Sequence, residues 1–180
     1  MVKSPGDNLG DFFRKYSMKK LSKLDLQNAV VSFGEPEEPD FDDESFNQVG
    51  LYLLPVKLDG IEYSTDELKL VIEEMKKDID GSEVIIYRPD IEIQPQFRGY
   101  RLGYKIYKEF LVEYGNLMSI WMNRRNEVQI PKIYKMLGQE PGFTMEYRDG
   151  SYFVCTDEWK KENPGITNDM IFDNFNPEKI

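Results

Sequence analysis

One stretch of twelve residues constrains this chain most: Ile93-Gln94-Pro95-Gln96-Phe97-Arg98-Gly99-Tyr100-Arg101-Leu102-Gly103-Tyr104. It reads as the end of a strand, a turn rich in glycine and arginine, and the start of a helix. A helix start exposes backbone N–H groups and the positive end of the helix dipole. With arginines beside it, such a turn favours a phosphate or pyrophosphate. The surrounding charge agrees. Residues 98–135 hold eight Lys/Arg and three Asp/Glu, a net of +5, in a chain whose net charge is −10. The remainder therefore carries −15. A basic island in an acidic protein points to a local anionic ligand and away from general nucleic-acid binding.

At 180 residues the chain fits one domain, or one domain with an appendage. Its longest uninterrupted apolar runs, Leu51–Leu54, Val84–Tyr87 and Tyr152–Cys155, are far short of the roughly 20 residues a membrane helix needs. The start of the sequence lacks an apolar signal region, and Cys155 is the single cysteine. Both fit a cytoplasmic protein without disulfides. There is no histidine. A Ser-His-Asp triad, a Cys-His pair and a His-ligated metal are therefore excluded, so no metal is expected. Any chemistry must use tyrosine, carboxylates, lysine and the backbone.

Along the chain, Leu9, Phe12, Phe13 and Tyr16 have helical spacing, and Gln27–Phe33 carries a β-prone core. Residues 35–44 hold seven acidic side chains and two prolines, either an acidic lip for a cationic substrate or a solubilising linker. Residues 49–58 read as a strand, broken or edge-placed at Pro55, and Asp59-Gly60 as a tight turn into Ile61-Glu62-Tyr63. Ser64 or Thr65 then caps a predicted helix whose buried stripe is Leu68, Val71, Ile72, Met75 and Ile79, ended by Gly81. Residues 83–93 form a predicted strand, kinked or bulged near Arg88-Pro89. A helix follows to Tyr114, stopped by Gly115. Then come a strand over 116–122, a short helix over 131–137, and a hairpin over 143–156 turning at Asp149-Gly150. The polar tail offers Trp159, Ile171, Phe172 and Phe175 as docking points. The expected layout is an extension over 1–48, a domain over 49–156 and a tail over 157–180.

The order of these parts resembles the GCN5-related N-acetyltransferase (GNAT) superfamily. The family's acetyl-CoA signature, Gln/Arg-x-x-Gly-x-Gly/Ala, is matched by Arg98-Gly99-Tyr100-Arg101-Leu102-Gly103, with Arg101 at the first signature glycine. Ile133-Tyr134-Lys135-Met136-Leu137-Gly138 is similar to the family's Leu-Tyr-x-x-Leu-Gly-Phe, and its phenylalanine is displaced to Phe143. The resemblance covers residues 83–156, with 36 residues between Arg98 and Tyr134. It implies an α/β (α+β) fold with a mixed, mostly antiparallel central sheet flanked by helices. It also implies acetyl-CoA as co-substrate and an amine acceptor, small molecule or protein, that attacks the thioester directly. A homodimer stays open.

Carried residue by residue, the resemblance places CoA pyrophosphate on the amides from Gly99 to Tyr104, spanning Tyr100, Arg101, Leu102 and Gly103. A bulge near Ile93 would pair with pantetheine. Arg98 contacts phosphate or faces solvent. Arg101 adds a charged contact or obstructs the turn. Tyr134 protonates the departing thiolate or packs under the hairpin. Asn126, with Asn123 as competitor, contacts CoA or caps a helix. Glu92 is the candidate base, with Asp90 and Glu83 behind it, against the alternative of a solvated strand-edge carboxylate. In the family a strand and two helices precede three consecutive antiparallel strands, and the predicted helix at 65–79 departs from that order. The acidic remainder suits a cationic amine. The contrasting reading is a catalytically inactive, acidic interaction protein on the same fold.

Overall fold

Two-residue Asp-Gly turns shape this molecule at three places. A type I′ hairpin needs positive φ at both central residues, and Asp-Gly supplies it. Asp59 and Gly60 have φ of 50° and 79°, Asp80 and Gly81 53° and 83°, and Asp149 and Gly150 48° and 85°. The computed structural model describes residues 23–38, 50–119 and 129–175. Its elements are α1 (Lys23–Asn28), β1 (Val31–Phe33), β2 (Leu51–Leu53), β3 (Val56–Leu58), β4 (Ile61–Glu62), β5 (Leu68–Ile79), β6 (Ser82–Ile93), α2 (Leu102–Tyr114), β7 (Asn116–Met118), α3 (Gln129–Gly138), β8 (Phe143–Arg148), β9 (Ser151–Thr156), α4 (Asp157–Glu162) and α5 (Asn168–Phe175). The fold is mixed α and β. The strands form three antiparallel sheets, ordered β1-β3-β4, β2-β5-β6 and β7-β9-β8, and helices flank them.

The predicted helix over 65–79 is not formed: residues 68–79 are strand β5. It pairs with β6 through twelve consecutive positions, from Leu68↔Ile93 to Ile79↔Ser82. The capping signal is real but serves a single turn. The Ser64 N–H donates to Glu67 Oε2 at 3.1 Å, and the Ser64 carbonyl accepts from Glu67 and Leu68 N–H at 3.0 Å each. A helix would have left Leu70 outside the stripe; as a strand, Leu68, Leu70 and Ile72 share one buried face. Gly81 is accordingly a hairpin residue and not a helix stop.

The expected kink at Arg88-Pro89 is absent too, and no bulge interrupts 82–93. The ladder stays in register through Ile72↔Pro89. Gln94 N–H bonds the Glu67 carbonyl, so even-numbered positions direct their main-chain groups toward β5 and odd-numbered ones away. Pro89 is odd, and the donor it lacks belongs to the other edge.

The strand expected over 49–58 is two short strands parted at Pro55, and the stretch from Gln27 enters a strand only at Val31. β7 covers the first three residues of the strand expected over 116–122. The amphipathic stretch 9–16 and residues 39–44 of the acidic segment lie outside the described residues.

Two cores result. The larger joins Leu26, Ala29 and Val31 to Leu54, Leu70, Ile72, Ile106, Phe110 and Tyr134. The second, on the opposite face of the β5–β6 hairpin, joins Val84 and Ile86 to Phe153, Ile171, Phe172 and Phe175, with Trp159 packed against it. The tail residues thus dock. No helix among the described residues is long and apolar enough to cross a membrane.

Candidate active site

The site is built where β6 meets β7. Helix α2 joins these strands, yet no ladder pairs them among the described residues. A side chain spans the gap. Asn116, 1% exposed at the start of β7, donates through Nδ2 to the Ile85 carbonyl at 3.0 Å. Its Oδ1 accepts from Tyr87 N–H at 3.1 Å. A parallel strand residue facing Ile86 would make the same two bonds with its own backbone. The carboxamide takes that place, so the two backbones stand apart by a side chain.

Beyond this clamp, the outer edge of β6 meets side chains in two places. Tyr107, on α2, donates its hydroxyl to the Pro89 carbonyl at 3.4 Å. Arg98 Nε donates to the Ile93 carbonyl at 2.9 Å. By the same alternation, Ile91 N–H and C=O and Ile93 N–H face this edge. Arg98 therefore folds the turn back onto the strand end with a guanidinium that stays exposed.

The turn itself passes through Gly99 at φ 88° and Arg101 at φ 57°, both left-handed. Arg101 thus holds, as a non-glycine, the conformation a glycine adopts freely. It is the N-cap of α2 without a side-chain cap bond, and no acidic residue sits in the first helical turn. The amides of Leu102, Gly103 and Tyr104 open that helix beside two exposed arginines. A Cβ at Gly103 would come within 3.1 Å of Ile133 Cδ1, so α2 and α3 touch there. Leu102 is buried, and Tyr100 packs partly buried against the larger core. The Tyr104 side chain leaves the turn and donates its hydroxyl to Glu140, which Lys108 also pairs at 3.2 Å. Burial, then this hydrogen bond, pushes the Tyr104 hydroxyl up to about 12.

Tyr134 lies at the seam. It is 1% exposed, its ring 6.0 Å from that of Tyr107 and 5.4 Å from that of Tyr152. Among the described residues its hydroxyl has no hydrogen-bond partner. Burial holds the hydroxyl well above the ordinary tyrosine range, and the positive charge of Arg88 acts the other way. Glu92 is exposed and opposite Lys69 in the ladder. The turn 98–104 and the end of β6 thus come together; Tyr134 is linked to β6 only through Tyr107, whose hydroxyl bonds the Pro89 carbonyl. Asn126 and Asn123 lie outside the described residues.

Two residues at this edge escaped the sequence: Asn116 and Tyr107. Tyr107 had a faint signal, three residues before Phe110 and so at helical spacing from it. A cavity of about 220 Å³ lies beside the start of β5, lined by Glu37, Glu62, Tyr63, Ser64, Leu68 and Leu70 among others. No group of His, Cys, Asp and Glu placed to hold a metal occurs among the described residues.

No family model matches this sequence, and no curated protein matches it. Among solved structures, the chain is similar to a mutant AtaT toxin bound to the C-terminus of the antitoxin AtaR and acetyl-CoA. The identity is 10% and the TM-score 0.44, over 76% of this chain and 98% of that one.

Proposed function

We propose that this protein is an acetyl-CoA-dependent N-acetyltransferase. The observation that carries the reading is the Asn116 clamp, which parts β6 from β7 beside the GNAT-like motifs of residues 83–156. An extended arm with two amides, such as pantetheine, suits the outward main-chain groups of Ile91 and Ile93. The helix start at 98–104, with Arg98 and Arg101, suits the pyrophosphate at its other end. Strand β5 also removes the sequence's main departure from the family, since strands now precede the signature where a helix was expected.

In this mechanism the backbone edge of β6 holds the thioester in line, and a neutral amine attacks its carbonyl carbon. Tyr134 gives its proton to the departing thiolate. The acceptor is a cationic amine, received in the acidic cavity whose Leu68 and Leu70 stand across the ladder from Ile93 and Ile91. It must lose a proton before attack. The complete burial of Tyr134 favours a second reading, a binding protein in which this tyrosine only packs.

The deciding experiment is a thermal melt with acetyl-CoA, followed by CoA-thiol release with spermidine and a lysine-rich peptide. Acetyl-CoA at 100 times its dissociation constant stabilises by about 2.7 kcal/mol. Tyr134→Phe keeps the ring and lowers turnover by about 10²–10⁴-fold, with the acetyl-CoA melt shift retained. An unchanged melt refutes cofactor binding. Binding without transfer to either amine supports the second reading.

A further inference from the structure

The short turn Gln139-Glu140-Pro141-Gly142, which displaces Phe143 from the motif pattern, has no task in the mechanism above. It is nevertheless well bonded. Glu140 N–H donates to the Leu137 carbonyl at 3.1 Å, and the Glu140 carbonyl accepts from Phe143 N–H at 3.2 Å. Gly142, at φ 86°, closes the turn, and its carbonyl accepts from Asp157 N–H at 2.9 Å. The turn presents a carboxylate to α2, and both oxygens are engaged. Oε1 accepts from the Tyr104 hydroxyl, and Oε2 pairs with Lys108 Nζ at 3.2 Å. Lys108 lies one helical turn on from Tyr104, its Nζ 6.0 Å from the centre of that ring. Carboxylate, phenol and ammonium thus close a bracket between the C-terminal end of α3 and the first two turns of α2.

Tyr104 is the third residue of α2. A helical Cβ tilts toward the N-terminus, so an aromatic side chain in the first turn leans over the helix start. There it would cover the amides that open α2 and compete with an anion for them. The bond to Glu140 ties the ring to the end of α3 instead. We infer that Glu140 is a positioning residue for the cofactor: it holds Tyr104 clear of the helix start, so that the amides of residues 102–104 stay open to the CoA pyrophosphate. The inference rests on the acetyltransferase reading. It also gives the inserted turn a purpose, since a chain running straight from Gly138 into the hairpin would have no carboxylate at this place. Charge by itself argues the other way. A carboxylate beside an anion site repels the anion, so Glu140 helps only by what it holds in place.

The test is CoA affinity by titration calorimetry. Glu140→Ala and Glu140→Gln lose the same charge, and only glutamine keeps an acceptor for the Tyr104 hydroxyl. Glu140→Ala therefore binds CoA about 2- to 10-fold more weakly than Glu140→Gln, the cost of ordering one freed side chain on binding. In a Tyr104→Phe background the two bind alike. The KM for acetyl-CoA follows the same order, and the KM for spermidine does not. Charge alone predicts another pattern, with both Glu140 variants tighter than wild type and equal to each other. If Glu140→Ala fails to fold, Tyr104→Phe is compared with wild type. It changes no charge at neutral pH and must bind CoA more weakly by a similar factor; an unchanged affinity there overturns the inference. Equal affinities of the two Glu140 variants, or a difference that persists with Tyr104→Phe, also overturn it and leave Glu140 a surface ion pair, while the acetyltransferase reading stands. A wild type that binds no CoA overturns both.

Discussion

At position 101 an arginine holds a backbone angle that costs an L-residue about 1–2 kcal/mol. Nothing in the described structure repays this locally, since the side chain makes no cap bond and is exposed. Arg101→Gly should therefore raise the urea midpoint, with a net gain of up to about 1 kcal/mol once the greater entropy of an unfolded glycine is deducted. If the side chain reaches phosphate, the same variant binds acetyl-CoA more weakly despite its greater stability. Opposite signs in the two measurements separate strain from function. The turn was legible in the sequence because glycine and arginine spacing is local information. That Arg101 would keep a glycine's angle was not, since residue type and conformation usually go together. Tyr134 stood out in the sequence through its motif, and the structure buries it between Tyr107 and Tyr152.

Among the elements, the hairpin at Asp80-Gly81 teaches most. Asp59-Gly60 and Asp149-Gly150 were read correctly as turns; the third pair, with the same chemistry, was assigned to a helix end. The stripe Leu68, Val71, Ile72, Met75 and Ile79 fits a helix, while Leu68, Leu70 and Ile72 fit a strand equally well. Long-range pairing with β6, which no local window contains, decided between them. Gly81→Ala forces a side chain into φ 83° and should cost about 1–2 kcal/mol by chemical denaturation. Asn116 was illegible for the same reason, because its partners are 29 and 31 positions away. Asn116→Ala strands the Tyr87 N–H and the Ile85 carbonyl. At about 1–3 kcal/mol for each buried group left unpaired, it should lose about 2–6 kcal/mol. Hydrogen exchange at the Tyr87 amide should quicken in that variant. Slow exchange there would show that another acceptor takes over.

Over the whole molecule the missing histidines and the buried tyrosines set the response to pH. Burial raises the hydroxyls of Tyr52, Tyr107 and Tyr134 far above their ordinary value, that of Tyr63 to about 12 and the Cys155 thiol to about 11. A folded pKa above the unfolded one gives full stability below the unfolded value and loses it as pH rises toward the folded value. With tyrosine at about 10 when unfolded, stability should fall from near pH 10 upward. Urea midpoints from pH 8 to 11, followed alongside tyrosinate absorbance, test this. The buried rings should ionise only as the chain unfolds. Early ionisation of most tyrosines at full stability would contradict the packing described. The mixed fold class followed from the motif resemblance over residues 83–156, and the docking of the tail from its spaced apolar residues Trp159, Ile171, Phe172 and Phe175.

The Asn116 clamp also has a mechanical meaning. A continuous sheet resists being pulled open because many backbone bonds must part together. Between β6 and β7 that row of backbone bonds is replaced by one carboxamide, with a hydrophobic core packed on either face. The molecule has a tear line, running between a lobe that carries the long β5–β6 hairpin and one that carries β7, β8 and β9. Force applied across that line would separate the lobes before it stripped a single strand from its own sheet, with Asn116 as the latch.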